Sequence, residues 1–172
     1  MAEMRLEEAI QAALQYEGRV IAVYVDAMRR SGDPVGRKVF KTLHEDEAGH
    51  ARYLAEKLEE LARTGRVKPS KLTATLPPVK TIGSALGNPN PRPGLPAAEE
   101  ELVLLRKALA VEVESGEFYR KMAQELPPED RALFEPFIEI EDGHRAIVQA
   151  EIDSISGTGF WFDVAEFRLE AE

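Results

Sequence analysis

The chain has no cysteine. That excludes disulfides, thiolate zinc sites and cysteine-ligated iron centres. Any metal would have to be held by Glu, Asp or His, a donor set suited to iron, manganese or zinc. Positive charge is also scarce, with 22 Lys and Arg against 31 Asp and Glu and a net charge of −9. Such a chain is a poor match for a phosphate backbone, so no nucleic-acid partner is expected. No apolar run approaches the ~20 residues of a membrane span. The N-terminal MAEMRLEEA is acidic and amphipathic, without a signal-peptide pattern. The expected location is therefore cytoplasmic, with no membrane partner. What is present suffices for a core: 172 residues, 44% of them hydrophobic, fit a single domain over 1–172.

Apolar residues recur every three or four positions in four segments, which predicts an all-α fold. The first helix is expected over about 4–30, with a stripe of Leu6, Ile10, Ala13, Glu17, Val20, Tyr24 and Met28. Ser31-Gly32-Asp33-Pro34 then ends one helix and starts the next, Gly suiting a C-terminal cap, Asp an N-cap and Pro the first helical position. The second helix is expected over 34–63, with Phe40, Leu43, Glu47, His50, Leu54, Leu58 and Leu61 on its stripe. The third, over 97–126, carries Leu102, Leu105, Leu109, Glu112, Gly116, Tyr119 and Ala123. The fourth, over 129–155, carries Phe134, Phe137, Glu141, His144, Val148 and Ile152, with a kink or a late start at Pro136. Residues 65–97 hold seven of the eleven prolines. They read as a long crossover, because a 30-residue helix is ~45 Å long and an extended segment can span it. A short helical turn is expected near Lys80–Leu86. The tail 156–172, with Phe160, Trp161, Phe162 and Phe167, reads as a short amphipathic helix packing on the bundle or on a second subunit.

The two halves repeat. Glu17 precedes Tyr24 by seven residues and Glu47-x-x-His50 follows; Glu112 precedes Tyr119 by seven and Glu141-x-x-His144 follows. Residues three apart share a helix face. Glu17 and Glu47 lie at equal distances from the turn at Gly32, and Glu112 and Glu141 at nearly equal distances from Pro127. Two such hairpins joined by a crossover bring all four helices' polar residues to one level. That is the arrangement of di-metal carboxylate bundles, with a Glu from each of two helices and a Glu-x-x-His from each of the others. One Glu or one His on an apolar stripe is usually a boundary residue or a hydrogen-bonded core group. Four buried carboxylates clustered without cations would repel one another, and two divalent ions remove that conflict. Tyr24 and Tyr119 are either core aromatics or hydrogen-bond donors to the ligand carboxylates. Asp46 and Asp142 neighbour ligand positions but are expected to point about 100° away from the ligand face, either solvated or hydrogen-bonded to the ligands from outside. Glu114, Glu117 and His44 are expected at the surface.

On these residues the chain resembles the rubrerythrin group of the ferritin-like superfamily. The paired Glu-x6-Tyr and Glu-x-x-His motifs carry the resemblance, together with LHEDEAGHARYL, EIEDGHRAIVQAEID and GFWFDVAEF. The resemblance implies a ferritin-like four-helix bundle of two hairpins and a non-haem di-iron site with ligands Glu17, Glu47, His50, Glu112, Glu141 and His144. It further implies reduction of hydrogen peroxide or dioxygen, and a homodimer. Two departures stand out. Without cysteine there is no rubredoxin domain, so electrons would come from an external donor such as a separate rubredoxin. Ser115 stands where rubrerythrins usually carry a further Glu, and Glu114 lies on another side of the helix. The six-residue set is equally similar to a bacterioferritin ferroxidase centre, which keeps iron oxidation open as an alternative. A non-catalytic, metal-stabilised module that binds a partner through its aromatic tail is the third reading.

Overall fold

The computed structural model describes residues 5–68, 70–72 and 98–156. Every regular element among them is a helix: α1 (Leu6–Arg30), α2 (Pro34–Thr64), α3 (Ala98–Glu125), the short α4 (Pro128–Arg131) and α5 (Glu135–Ser156). The crossover expected over 65–97 lies outside the described residues from 73 onward, as does the turn near 80–86. The tail beyond Ser156 lies outside them too.

Helix boundaries follow local chemistry. Asp33 caps α2, its carboxylate accepting from the N–H groups of Val35 (3.2 Å) and Gly36 (3.0 Å), with Pro34 in the first turn where its missing N–H costs nothing. Gly32 does not serve as the left-handed cap expected of it. α1 instead ends on Ser31, whose N–H bonds Ala27 O, and among the described residues the left-handed glycine is Gly65, at φ 70° after α2. The fourth expected helix is divided. α4 is one turn long, residues 132–134 form a turn, and α5 begins at Glu135. Pro136 therefore takes a first-turn position, which removes any need for a kink.

The three-residue link 31–33 reverses the chain, so α1 and α2 run antiparallel along each other; α3 packs along α5, and α1 against α3. Two apolar clusters fill the interior. One contains Val20, Tyr24, Phe40, Leu43, Leu104, Leu105, Ala108, Val148 and Ile152. The other contains Ile10, Ala13, Leu54, Tyr119, Met122, Phe134 and Phe137. Each fully buried large side chain contributes roughly 1.5–3 kcal/mol. Between the clusters, at the level of residues 17, 47–50, 112 and 141–144, the interior is polar. On α3 the buried face is wider than the expected stripe, taking in Leu104, Ala108, Ser115, Phe118 and Met122. No helix among the described residues is long and apolar enough to cross a membrane.

Candidate metal centre

Helical register and equal hairpin arms carry Glu17, Glu47, His50, Glu112, Glu141 and His144 into one layer. None is more than 1% exposed. They form two overlapping groups, each able to hold a metal ion: Glu17, Glu47, His50 and Glu141, and Glu47, Glu112, Glu141 and His144. Glu47 and Glu141 belong to both. Within each group the donor atoms lie within 4.8 Å of one another.

Glu47 sits between the two histidines, with Oε2 3.0 Å from His50 Nδ1 and Oε1 2.6 Å from His144 Nδ1. His50 Nδ1 also lies 3.7 Å from Glu17 and 3.8 Å from Glu141. His144 Nδ1 lies 3.8 Å from Glu112. The imidazole planes are nearly parallel, 13° apart with centroids 5.5 Å from each other, and Phe137 meets His50 edge-on at 5.3 Å.

The tyrosines cross between hairpins. Tyr24 on α1 donates to Glu112 Oε1 on α3, and Tyr119 on α3 donates to Glu17 Oε1 on α1. Each bond occupies one carboxylate oxygen and leaves the other, Glu112 Oε2 and Glu17 Oε2, without a hydrogen-bond partner; both oxygens of Glu141 lack one as well. Burial, and then the carboxylates each faces, raise both phenols well above their ordinary range, so they remain donors.

With protons as the only cations, the layer is strongly perturbed. Burial and the charge of Glu47 push Glu17 up to about 8 and Glu112 up to about 7. Burial, Glu47, Glu112 and Glu17 raise Glu141 well above the carboxylate range. Burial also acts to raise Glu47, but His144 and His50 outweigh it and hold its carboxyl well below the usual value. For His50, burial favours the neutral ring, yet Glu47 and Glu17 prevail and raise it to about 9. His144 is raised well above its ordinary value, against burial, by Glu47, Asp46 and Glu112. Protons thus occupy positions that metal cations can take. Orphaned carboxylate oxygens in a dry interior are costly, and a cation at each overlapping group would satisfy them. The residues fit metal binding.

Two further buried polar residues, Asp46 and Ser115, border the six. Asp46, expected to point away, is 1% exposed; its Oδ2 lies 2.9 Å from His144 Nε2 and 3.9 Å from His50 Nε2. It addresses the ring nitrogens opposite those facing the carboxylates. The half-repeat held a signal, because the position matching Asp46 in the second half is the apolar Ile140. Ser115, fully buried, matches the equally inward Val20. Asp142, by contrast, stays at the rim, paired with Arg120 and, at 3.0 Å, with Arg145. Glu114 is exposed and pairs with Arg19 at 3.2 Å, Glu117 is exposed, and the half-buried His44 is not among the clustered residues.

Against protein-family models, curated proteins and solved structures, the chain has no match. The functional reading therefore rests on the layer itself.

Proposed function

We propose that the chain is a ferritin-like four-helix bundle holding two iron ions, and that it is a non-haem di-iron oxidoreductase of rubrerythrin type. It reduces hydrogen peroxide, or dioxygen, with electrons from an external donor. The observation that carries this reading is the pair of four-residue groups sharing Glu47 and Glu141, with orphaned oxygens on Glu17, Glu112 and Glu141.

Glu17 and His50 would hold one ion, Glu112 and His144 the other, with Glu47 and Glu141 between them. Two iron ions held there, each cycling by one electron, would supply the pair of electrons that cleaving an O–O bond requires; with two protons, hydrogen peroxide would become two waters. The chain's own residues supply position and dryness. Tyr24 and Tyr119 hold one oxygen of Glu112 and Glu17, turning the other inward. Asp46 accepts from His144 Nε2–H, which fixes the ring and leaves Nδ1 free to bind. The aromatic and aliphatic clusters on both sides of the layer exclude bulk water. Electrons arrive from outside the chain, which has no cysteine for a redox centre of its own.

Iron oxidation is the second reading, favoured by Ser115 standing in place of a further carboxylate. Metal analysis of protein produced with iron, followed by mixing of the diferrous form with peroxide and with dioxygen, tests both. Fast peroxide consumption with iron retained supports the oxidoreductase. Iron release or mineralisation supports the ferroxidase. Protein without bound metal would defeat both.

A further inference from the structure

Ser115 is fully buried and its Oγ has no hydrogen-bond partner. The other hydroxyls near it are committed: Tyr24 to Glu112 and Tyr119 to Glu17. A serine within a helix can satisfy itself by donating to the carbonyl four residues earlier. This chain does so elsewhere, in Thr42 to Lys38 O (3.0 Å) and Thr64 to Glu60 O (2.8 Å). Ser115 does not. It stands three residues after Glu112 and four before Tyr119, so all three share the face of α3 that borders the polar layer. The matching position in the first half is Val20, so packing there calls for no hydroxyl. At the next residue, Gly116, α3 approaches α5 closely: a Cβ built there would lie 3.6 Å from Glu141 Cβ.

We propose that Ser115 is the hydrogen-bond donor for a small anionic ligand, of the size of azide or hydroperoxide, entering the carboxylate–histidine layer beside Glu112. The carboxylates of the layer only accept when ionised, the imidazole Nδ1 atoms face the carboxylates, and both tyrosine hydrogens are spent. Ser115 retains a hydroxyl hydrogen for an incoming lone pair. Ser115 is thus a positioning residue for the oxidant. This inference rests on the two-metal reading.

The test is azide binding to iron-loaded, air-oxidised protein, followed through the azide-to-iron absorption band. Ser115→Ala should retain the wild-type metal content and bind azide about tenfold more weakly, the loss expected for one hydrogen bond to an anion. Ser115→Thr, which keeps the hydroxyl, should stay within about threefold of wild type by the same reasoning. Ser115→Cys, close in size but a weak donor, should follow the alanine variant and serves if alanine leaves a damaging void. Equal azide affinity in wild type and Ser115→Ala would overturn the inference, as would iron-loaded wild type that takes up no azide. Wild type that binds no metal would instead defeat the two-metal reading, and this inference with it.

Discussion

Filling the layer with metal should expel protons in a predictable number. At pH 7, His50 (about 9), His144 (raised well above its ordinary value), Glu17 (about 8) and Glu141 (raised well above its range) all carry a proton. Glu112, near 7, is about half protonated, while Glu47 is held ionised between the two imidazolium rings. Metal binding requires neutral imidazoles and ionised carboxylates, so saturation of the site at pH 7 should release about four protons per chain. Anaerobic addition of Fe(II) to metal-free protein in weak buffer, with a pH indicator or pH-stat, counts them directly. Calorimetry in two buffers of different ionisation enthalpy gives an independent count. Because binding expels protons, the apparent metal affinity must rise with pH. Release of fewer than about two protons at saturation, or an affinity unchanged between about pH 6 and 8, would refute the electrostatic picture of the layer.

In the metal-free protein the pH dependence of stability has the opposite sign. Folded His50 and Glu17 bind protons more tightly than the unfolded chain, whose values are 6.5 and 4.5. Their contribution is complete below those values and is lost as pH rises through about 9 and about 8, so the melting temperature of chelator-treated protein should fall across that window; a flat profile would count against it. Two neighbouring carboxylates should respond differently to substitution. Glu47→Gln strips both imidazolium rings of their shared anion and should cost roughly 3–5 kcal/mol in chemical denaturation of the metal-free form. Glu141→Gln replaces a group already protonated and should leave that stability nearly unchanged, although both variants lose metal. Similar losses in the two would be incompatible with Glu47 as the ionised carboxylate shared by both Nδ1 atoms. Asp46→Ala removes the acceptor at His144 Nε2 and should weaken the ion at the His144 side by about 10–100-fold while sparing the other, read as two separated phases in a metal titration. Identical curves for variant and wild type would remove Asp46 from the site.

Much of this was legible along the chain because helices impose a short, regular period. The stripes on α1, α2, α3 and α5, the Asp33-Pro34 start of α2 and the first-turn place of Pro136 are local effects of geometry and of a missing N–H. The layer itself was visible through the half-repeat. Glu17, Glu47-x-x-His50, Glu112 and Glu141-x-x-His144 recur with matched arms, and register along a helix fixes height in a hairpin. Side-chain reach across helices is not written in any period. That Tyr24 bonds Glu112, and not a carboxylate of its own hairpin, depends on how α1 packs on α3. Asp46 sits off its stripe, yet the packing of α5 against that side buries it on His144. Ser115 stood out in the sequence only as a departure from the rubrerythrin pattern; the buried face on α3 is what seals its hydroxyl from water without a partner. Charge state was likewise undecidable residue by residue: the six groups titrate as one cluster, and their distances select Glu47 as the anion that both histidines share. The sequence by itself determined which residues meet at one level, because spacing sets height. Tertiary structure alone decided which of them touch, which are dry and which keep their protons, because those depend on contacts between helices distant in the chain.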